Sequence, residues 1–186
     1  MASVIQLQSL KHCKLAIGSY PHFNYDASGG GGKAIVADIE KNNIQRIQFS
    51  PNRFIIPSIN IRTSKILGLP LPPGIEIKIL LEKLEGTILK EKGEVSLTFK
   101  SKFILSILNL YDFPKLSIST KLTTGKIKSK LFTAEGRCIS KNGQSTLVGV
   151  ATIPKSGNKF LDIFLGLPNE SLAKLNCKIL EQDLQI

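Results

Sequence analysis

The stretch richest in side chains that could do chemistry is SYPHFNYDASGGGGK, residues 19–33, which gathers Tyr20, His22, Tyr25, Asp26 and Lys33. Two phenols, an imidazole, a carboxylate and an amine this close in the chain can donate, accept and move protons. They form a candidate ligand-binding site. In an alternative reading they form an acid–base centre of an enzyme acting on a small-molecule substrate. His22 is one of only 2 histidines, the other being His12. No G-x-S-x-G elbow or H-E-x-x-H helix accompanies them, and no His, Asp or Glu cluster falls at metal-ligand spacing. The sequence therefore assigns no catalytic residue, metal or cofactor. A polar loop crossing one end of a sheet explains the stretch with fewer assumptions.

Gly29–Gly32 before Lys33 invite comparison with loops that cradle phosphate. A P-loop counted back from Lys33 needs glycine where Ala27 stands and a hydroxyl where Ala34 stands. A dinucleotide loop counted from Gly29 and Gly31 puts Ala34 at the third glycine. Both loops lead into a helix, whereas KAIVADIE reads as a strand. The glycines are expected to serve a hairpin, a bulge or a close backbone approach. A glycine-rich loop over a ligand entrance is the alternative.

The elements that must position these residues are extended. In GIEIKILL, Ile75, Ile77 and Ile79 share a face opposite Glu76 and Lys78. In EVSLTFKSKFIL, Val95, Leu97, Phe99 and Phe103 stand opposite Ser96, Thr98, Lys100 and Lys102, and KLSISTKLT repeats the alternation. One apolar and one wet face per segment is the pattern of antiparallel strands with a single buried side. Strands are expected at 3–9, 12–18, 33–39, 44–49, 54–62, 74–84, 86–91, 94–107, 115–122, 126–140 and 145–153. KEKGEV, LTTGKI and SKNGQS place Gly93, Gly125 and Gly143 where tight turns favour positive φ. Helix is expected only near the C-terminus: NKFLDIFLGLP as a short buried helix, and ESLAKLN as a second, capped by Asn169. The fold class is mainly β, a single-domain antiparallel barrel or sandwich over residues 1–186 with a short C-terminal helical segment.

RTSKILGLPLPPGIEIKI is a second notable stretch. Pro70, Pro72 and Pro73 keep it out of regular structure, yet it carries Leu67, Leu69 and Leu71. Loops lie on surfaces. An apolar loop therefore either closes a barrel mouth or meets something apolar outside. Arg62 and Lys65 beside it would help such a tip settle on an anionic membrane or a protein partner.

The chain has 186 residues, 42% of them hydrophobic, with 25 Lys+Arg against 14 Asp+Glu, a net charge of +11. That balance favours an anionic partner. The lysines are scattered, however, and only Arg46, Arg53, Arg62 and Arg137 are arginine, so nucleic acid ranks below a membrane surface. A Lys-, Ile- and Asn-rich composition also accounts for part of the charge without any partner. Cys13, Cys138 and Cys177 are widely spaced, which fits a reducing compartment. No apolar run approaches the roughly 20 residues needed to cross a bilayer. SVIQLQSL alternates like a strand rather than a targeting segment, so a soluble protein without a signal sequence is expected.

IRTSKILGLPLPPGIEIKI, LEGTI, GEVSLTFKSKF, LVGVATIP and FLGLP together resemble an uncharacterised family of cyanobacterial and plant-chloroplast proteins. The resemblance spans most of the chain and carries no assigned catalytic residues. It implies a cytoplasmic or stromal protein of photosynthetic cells, serving pigments, lipids or photosystem assembly; the apolar loop adds the expectation of a membrane-peripheral protein supporting photosynthetic membrane biogenesis. The reading that results is a non-enzymatic β module binding an apolar ligand, such as a lipid or pigment, or an anionic membrane surface.

Overall fold

A computed structural model describes residues 3–40 and 43–183. Alternating side chains build β1 (Ser3–Ser9), β2 (Cys13–Ile17), β3 (Phe23–Tyr25), β4 (Gly31–Glu40), β5 (Ile44–Phe49), β6 (Ser64–Ile66), β7 (Leu69–Pro70) and β8 (Ile75–Leu89). They continue through β9 (Glu94–Ile107), β10 (Tyr111–Asp112), β11 (Leu116–Thr123), β12 (Lys126–Lys128), β13 (Thr133–Glu135), β14 (Gln144–Ile153) and β15 (Asn169–Asp183). One helix, α1 (Lys159–Leu165), precedes β15.

Eight strands follow one another round a ring, β1-β4-β5-β8-β9-β11-β14-β15, and β15 pairs back onto β1 from Ser3↔Asp183 to Ser9↔Cys177. Every neighbour in the ring is antiparallel. Closure is uneven. Past His12, whose φ is 61°, β2 replaces β1 as the partner of β15 and leads outward to β3, β6 and β7. Here the wall is completed by Ile59, which exchanges backbone hydrogen bonds of 2.9 and 2.8 Å with Ile77. The lower interior is filled by Ile47, Phe49, Leu84, Val95, Leu97, Leu147 and Ile179. Cys13, Tyr25, Ile59 and Leu71 form a second cluster, and Phe113, Leu116, Ile153, Leu161 and Leu167 a third under α1.

Several expectations need correction. Residues 54–62 are not a strand: a 3-10 turn at Pro51–Arg53 leads into an extended run that touches the sheet only at Ile55 and Ile59, because Pro51 and Pro57 cannot donate to a ladder. Segments 74–84 and 86–91 are one strand, β8, with a bulge between Leu81 and Lys83. Gly86 permits its unbroken passage, since a Cβ there would lie 2.0 Å from the Ser96 carbonyl. Segment 126–140 splits into the small β12–β13 hairpin and a return run. ESLAKLN is strand, not helix, because β14 offers a full ladder from Gln144 to Ile153 that β15 takes up. Gly93 and Gly143 have positive φ as expected, but Gly125 is not among the positive-φ glycines.

Candidate functional site

The polar cluster near residue 20 is distributed rather than gathered. On β3 the alternation sends Tyr25 inward, where it is 3% exposed and its hydroxyl donates to the Pro57 carbonyl. Burial pushes that phenol well above its ordinary pKa. Tyr20 lies at the tip after β2 and donates to the Phe164 carbonyl on α1. His22 is exposed on the same tip. Asp26 accepts from the Ser28 backbone N–H at 2.9 Å and lies 4.0 Å from Lys11. Hydrogen bonds from the Ser28 side chain and backbone hold its carboxyl below the usual range. Lys33 is exposed on β4 opposite Gln6. The buried thiols make poor nucleophiles: burial pushes Cys177 up to about 12 and raises Cys13.

The glycine run is a close-approach device, as expected. Gly31 exchanges backbone hydrogen bonds with Ile55 at 2.8 and 2.9 Å, and Gly30 donates to Ala27 at 3.1 Å. The Gly30 and Gly31 amides are therefore already engaged and do not face a phosphate. A Cβ at Gly31 would sit 2.0 Å from the Leu7 carbonyl, and one at Gly32 would sit 2.7 Å from the Phe54 ring.

The distinctive surface lies at the barrel rim where β2, β6 and β9 end and β8, β11 and β15 begin. Antiparallel register brings the turns at 18–22, 67–68, 107–110 and the connection 154–168 to this one rim. Leu67 (φ 51°) and Gly68 (φ 83°) make the tip between β6 and β7. Leu108 and Asn109, both at φ 54°, make the turn after β9, and the Leu108 N–H donates to Gly74 at 2.6 Å. Asn158 caps α1 by accepting from the Leu161 N–H at 2.9 Å, and Gly166 ends it in the left-handed region at φ 63°. With the helix so fixed, only Leu161 is buried on it. The expectation of a buried helix fails: α1 lies across the rim, so one face alone meets the core.

What remains outside is large and apolar. Leu110 is 86% exposed, Leu67 79%, Ile163 73%, Leu69 71% and Phe160 60%. Phe160 and Phe164 are four residues apart on one helix face. Aromatic rings run across the rim: Tyr111 to Phe113 at 4.8 Å, Phe113 to Phe160 at 5.8 Å, Phe160 to Phe164 at 5.9 Å and Phe164 to Tyr20 at 6.4 Å. Phe113 roots the row in the cluster under α1.

Of the loop residues singled out from the sequence, Leu67 and Leu69 sit on this rim, and Lys65 is exposed beside them on β6. Leu71 instead points inward, 6% exposed. Arg62 is exposed in the turn before β6, its N–H donating to Asn60 Oδ1 at 2.9 Å. Leu108, Leu110 and Tyr111 escaped sequence reasoning, and Phe160, Ile163 and Phe164, expected to be buried in the helix, are exposed. The available signal was an apolar run, LNLY, around a turn-forming asparagine.

Two acids near the rim, Asp162 and Glu170, are engaged internally, whereas Asp112 on β10 is exposed. Asp162 accepts from the Ser156 backbone N–H and hydroxyl, each at 2.6 Å, and those bonds lower its pKa. Glu170 accepts from the Leu131 N–H at 2.9 Å and the Ser129 hydroxyl at 2.7 Å, which lower its pKa likewise. A groove of about 480 Å³ beside α1 is lined by Lys155, Lys159, Asp162, Ile163 and Leu167. Among the described residues, Lys65, Lys115, Lys155 and Lys159 make no ion pair within 4.0 Å. The rim is thus an apolar aromatic surface with unpaired cations round it. No protein-family model matches the chain, and no curated protein or solved structure matches it either.

Proposed function

We propose that this protein is a non-enzymatic peripheral module that settles the apolar rim of its barrel into the interface of an anionic membrane. The row of exposed rings and leucines from Tyr20 to Leu110 carries this reading. Contiguous exposed apolar patches rimmed by polar residues mark interaction surfaces. Aromatic rings suit the wet–apolar boundary of a bilayer, and lysines beside it are drawn to anionic lipid.

The barrel's polarity supports docking over spanning. Apolar residues fill the interior, whereas Lys78, Lys100 and Lys121 face outward on the strands; a membrane-spanning barrel has the reverse pattern. Among the described residues no helix is long and apolar enough to cross a membrane. Packing of Phe49, Leu97 and Leu147 at the centre favours the rim over the barrel interior as the binding surface, since eight strands enclose little more than their own side chains.

Flotation with vesicles of phosphatidylcholine, alone or mixed equally with phosphatidylglycerol, tests the proposal. The wild-type protein should float with the mixed vesicles. Phe160→Ser with Ile163→Ser should weaken that partition by about 30- to 1,000-fold, because each side chain contributes on the order of 1–2 kcal/mol when buried in lipid. A wild-type protein that floats with neither preparation overturns the reading.

A further inference from the structure

One side of the barrel carries a line of lysines that fold stability does not explain. β15, β2, β3 and β6 lie side by side, and their register aligns Lys174↔Lys14, Lys14↔Asn24 and Asn24↔Lys65 in one transverse row. Alternation fixes the direction of all four. Cys13, Leu15, Phe23, Tyr25 and Ile66 turn inward, so Lys14, Asn24, Lys65 and Lys174 face out and are exposed. Like charges directly opposite on neighbouring strands destabilise a sheet. Lys14 and Lys174 are such a pair, and among the described residues neither has an ion pair within 4.0 Å, nor does Lys65. Asp26, the acid nearest along β3, is bonded to Ser28 and paired with Lys11.

The row is continuous with the apolar rim. Two residues further along the chain from Lys65 stands Leu67, and two residues back from Asn24 stands His22, both exposed. Two residues of strand span about 7 Å. A barrel seated on its Leu67 tip would thus hold these lysines at the depth of lipid headgroups.

We infer that Lys14, Lys65 and Lys174 form the face that reads anionic phospholipid headgroups, and that the barrel docks tilted onto its β2–β3–β6 side. This rests on the docking reading above. It adds what that reading leaves open, namely which cations give selectivity and which side of the barrel faces the membrane. The alternation and register on the page select an extended anionic surface, since three ammonium groups in a line across four strands do not converge on a single small anion.

Two triple variants test the inference on the full chain. Lys14→Gln, Lys65→Gln and Lys174→Gln remove the row. Lys92→Gln, Lys100→Gln and Lys141→Gln remove the same charge from exposed positions elsewhere. Circular dichroism checks that each folds, and binding is measured to vesicles of equal phosphatidylcholine and phosphatidylglycerol and to phosphatidylcholine alone. The row variant should lose on the order of 100-fold in affinity for the mixed vesicles, and the control less than about threefold. Residual binding of the row variant to the two preparations should become similar. Equal losses in both triples would overturn the row while leaving rim docking intact; wild-type binding indifferent to phosphatidylglycerol would overturn both the row and the anionic part of the docking reading, leaving only the apolar seating of the rim. Row-dependent binding to duplex DNA or heparin without any binding to vesicles would overturn both row and rim.

Discussion

At the rim formed by the turns at Asn43, 90–93 and 140–143, the left-handed positions are filled by Asn43, Gly93 and Gly143, at φ 57°, 64° and 82°. These residues tolerate that conformation, and the turns are tied by polar bonds: Asn43 donates to Glu91 at 3.1 Å, and Lys90 pairs with Glu181 at 2.7 Å. At the opposite rim the same conformation is imposed on Leu67 and Leu108, at φ 51° and 54°, with both side chains exposed. A left-handed residue bearing Cβ costs roughly 1–2 kcal/mol, and an exposed leucine recovers none of it by burial. The two rims share one barrel, and both use left-handed residues in their turns. What differs is that the second carries apolar groups at positions where folding alone favours Asn or Gly. Strain with exposed apolar surface is the pattern expected where a surface serves a partner.

The contrast can be broken most forcefully through the interior. Phe49 is 1% exposed and packs edge-on against Phe54 at 5.3 Å. Phe49→Ala should lower unfolding free energy by about 3–5 kcal/mol in urea titration. Phe160→Ala, at the rim, should stay within about 0.5 kcal/mol of wild type. Comparable losses would make the rim part of the core and erase the distinction.

Leu67→Asn sharpens it. Relief of the left-handed strain should raise stability by about 1 kcal/mol, while vesicle binding falls. A destabilised Leu67→Asn variant would show that the leucine is structural.

The smallest effect concerns acid and the polar rim. Burial works against ionisation of Glu181, but bonds from Lys90 at 2.8 Å and Gln45 at 2.9 Å leave its carboxyl below the ordinary 4.5. A folded-state value below the unfolded one gives stability that is present above about 4.5 and lost as pH falls through the lowered value. Glu181→Gln should flatten that acid limb by under about 1 kcal/mol, given solvent screening, and leave vesicle binding at neutral pH unchanged.

Legibility followed the origin of each constraint. β1 and β5 were readable to the residue and β9 likewise, because alternation toward one core is a local property of the chain. That Gly29–Gly32 do not cradle phosphate was readable because the following residues already excluded a helix; whether Gly31 serves a close approach, a hairpin or a bulge stayed open in the sequence. Residues 170–176 differ from expectation since Leu172 and Leu175 fit helical as well as extended spacing, and only the open edge of β14 decides between them. Leu71 and Leu69 differ by two positions in sequence and lie on opposite sides of the wall, because the backbone after β7 turns inward to donate from the Leu71 N–H to the Ser64 carbonyl at 3.1 Å. The Tyr20–Lys33 set was adjacent in sequence but dispersed by strand alternation and a turn.

The sequence by itself determined a β protein with an apolar interior, wet lysines outside and turns at Gly93 and Gly143, since side-chain alternation and left-handed φ act within a few residues. Only tertiary structure decided that Leu67, Leu110, Phe160 and Tyr20 share one rim, and that Lys14, Lys65 and Lys174 share one line. Those neighbours are set by how strands far apart in the chain register against one another, and no local pattern encodes that register.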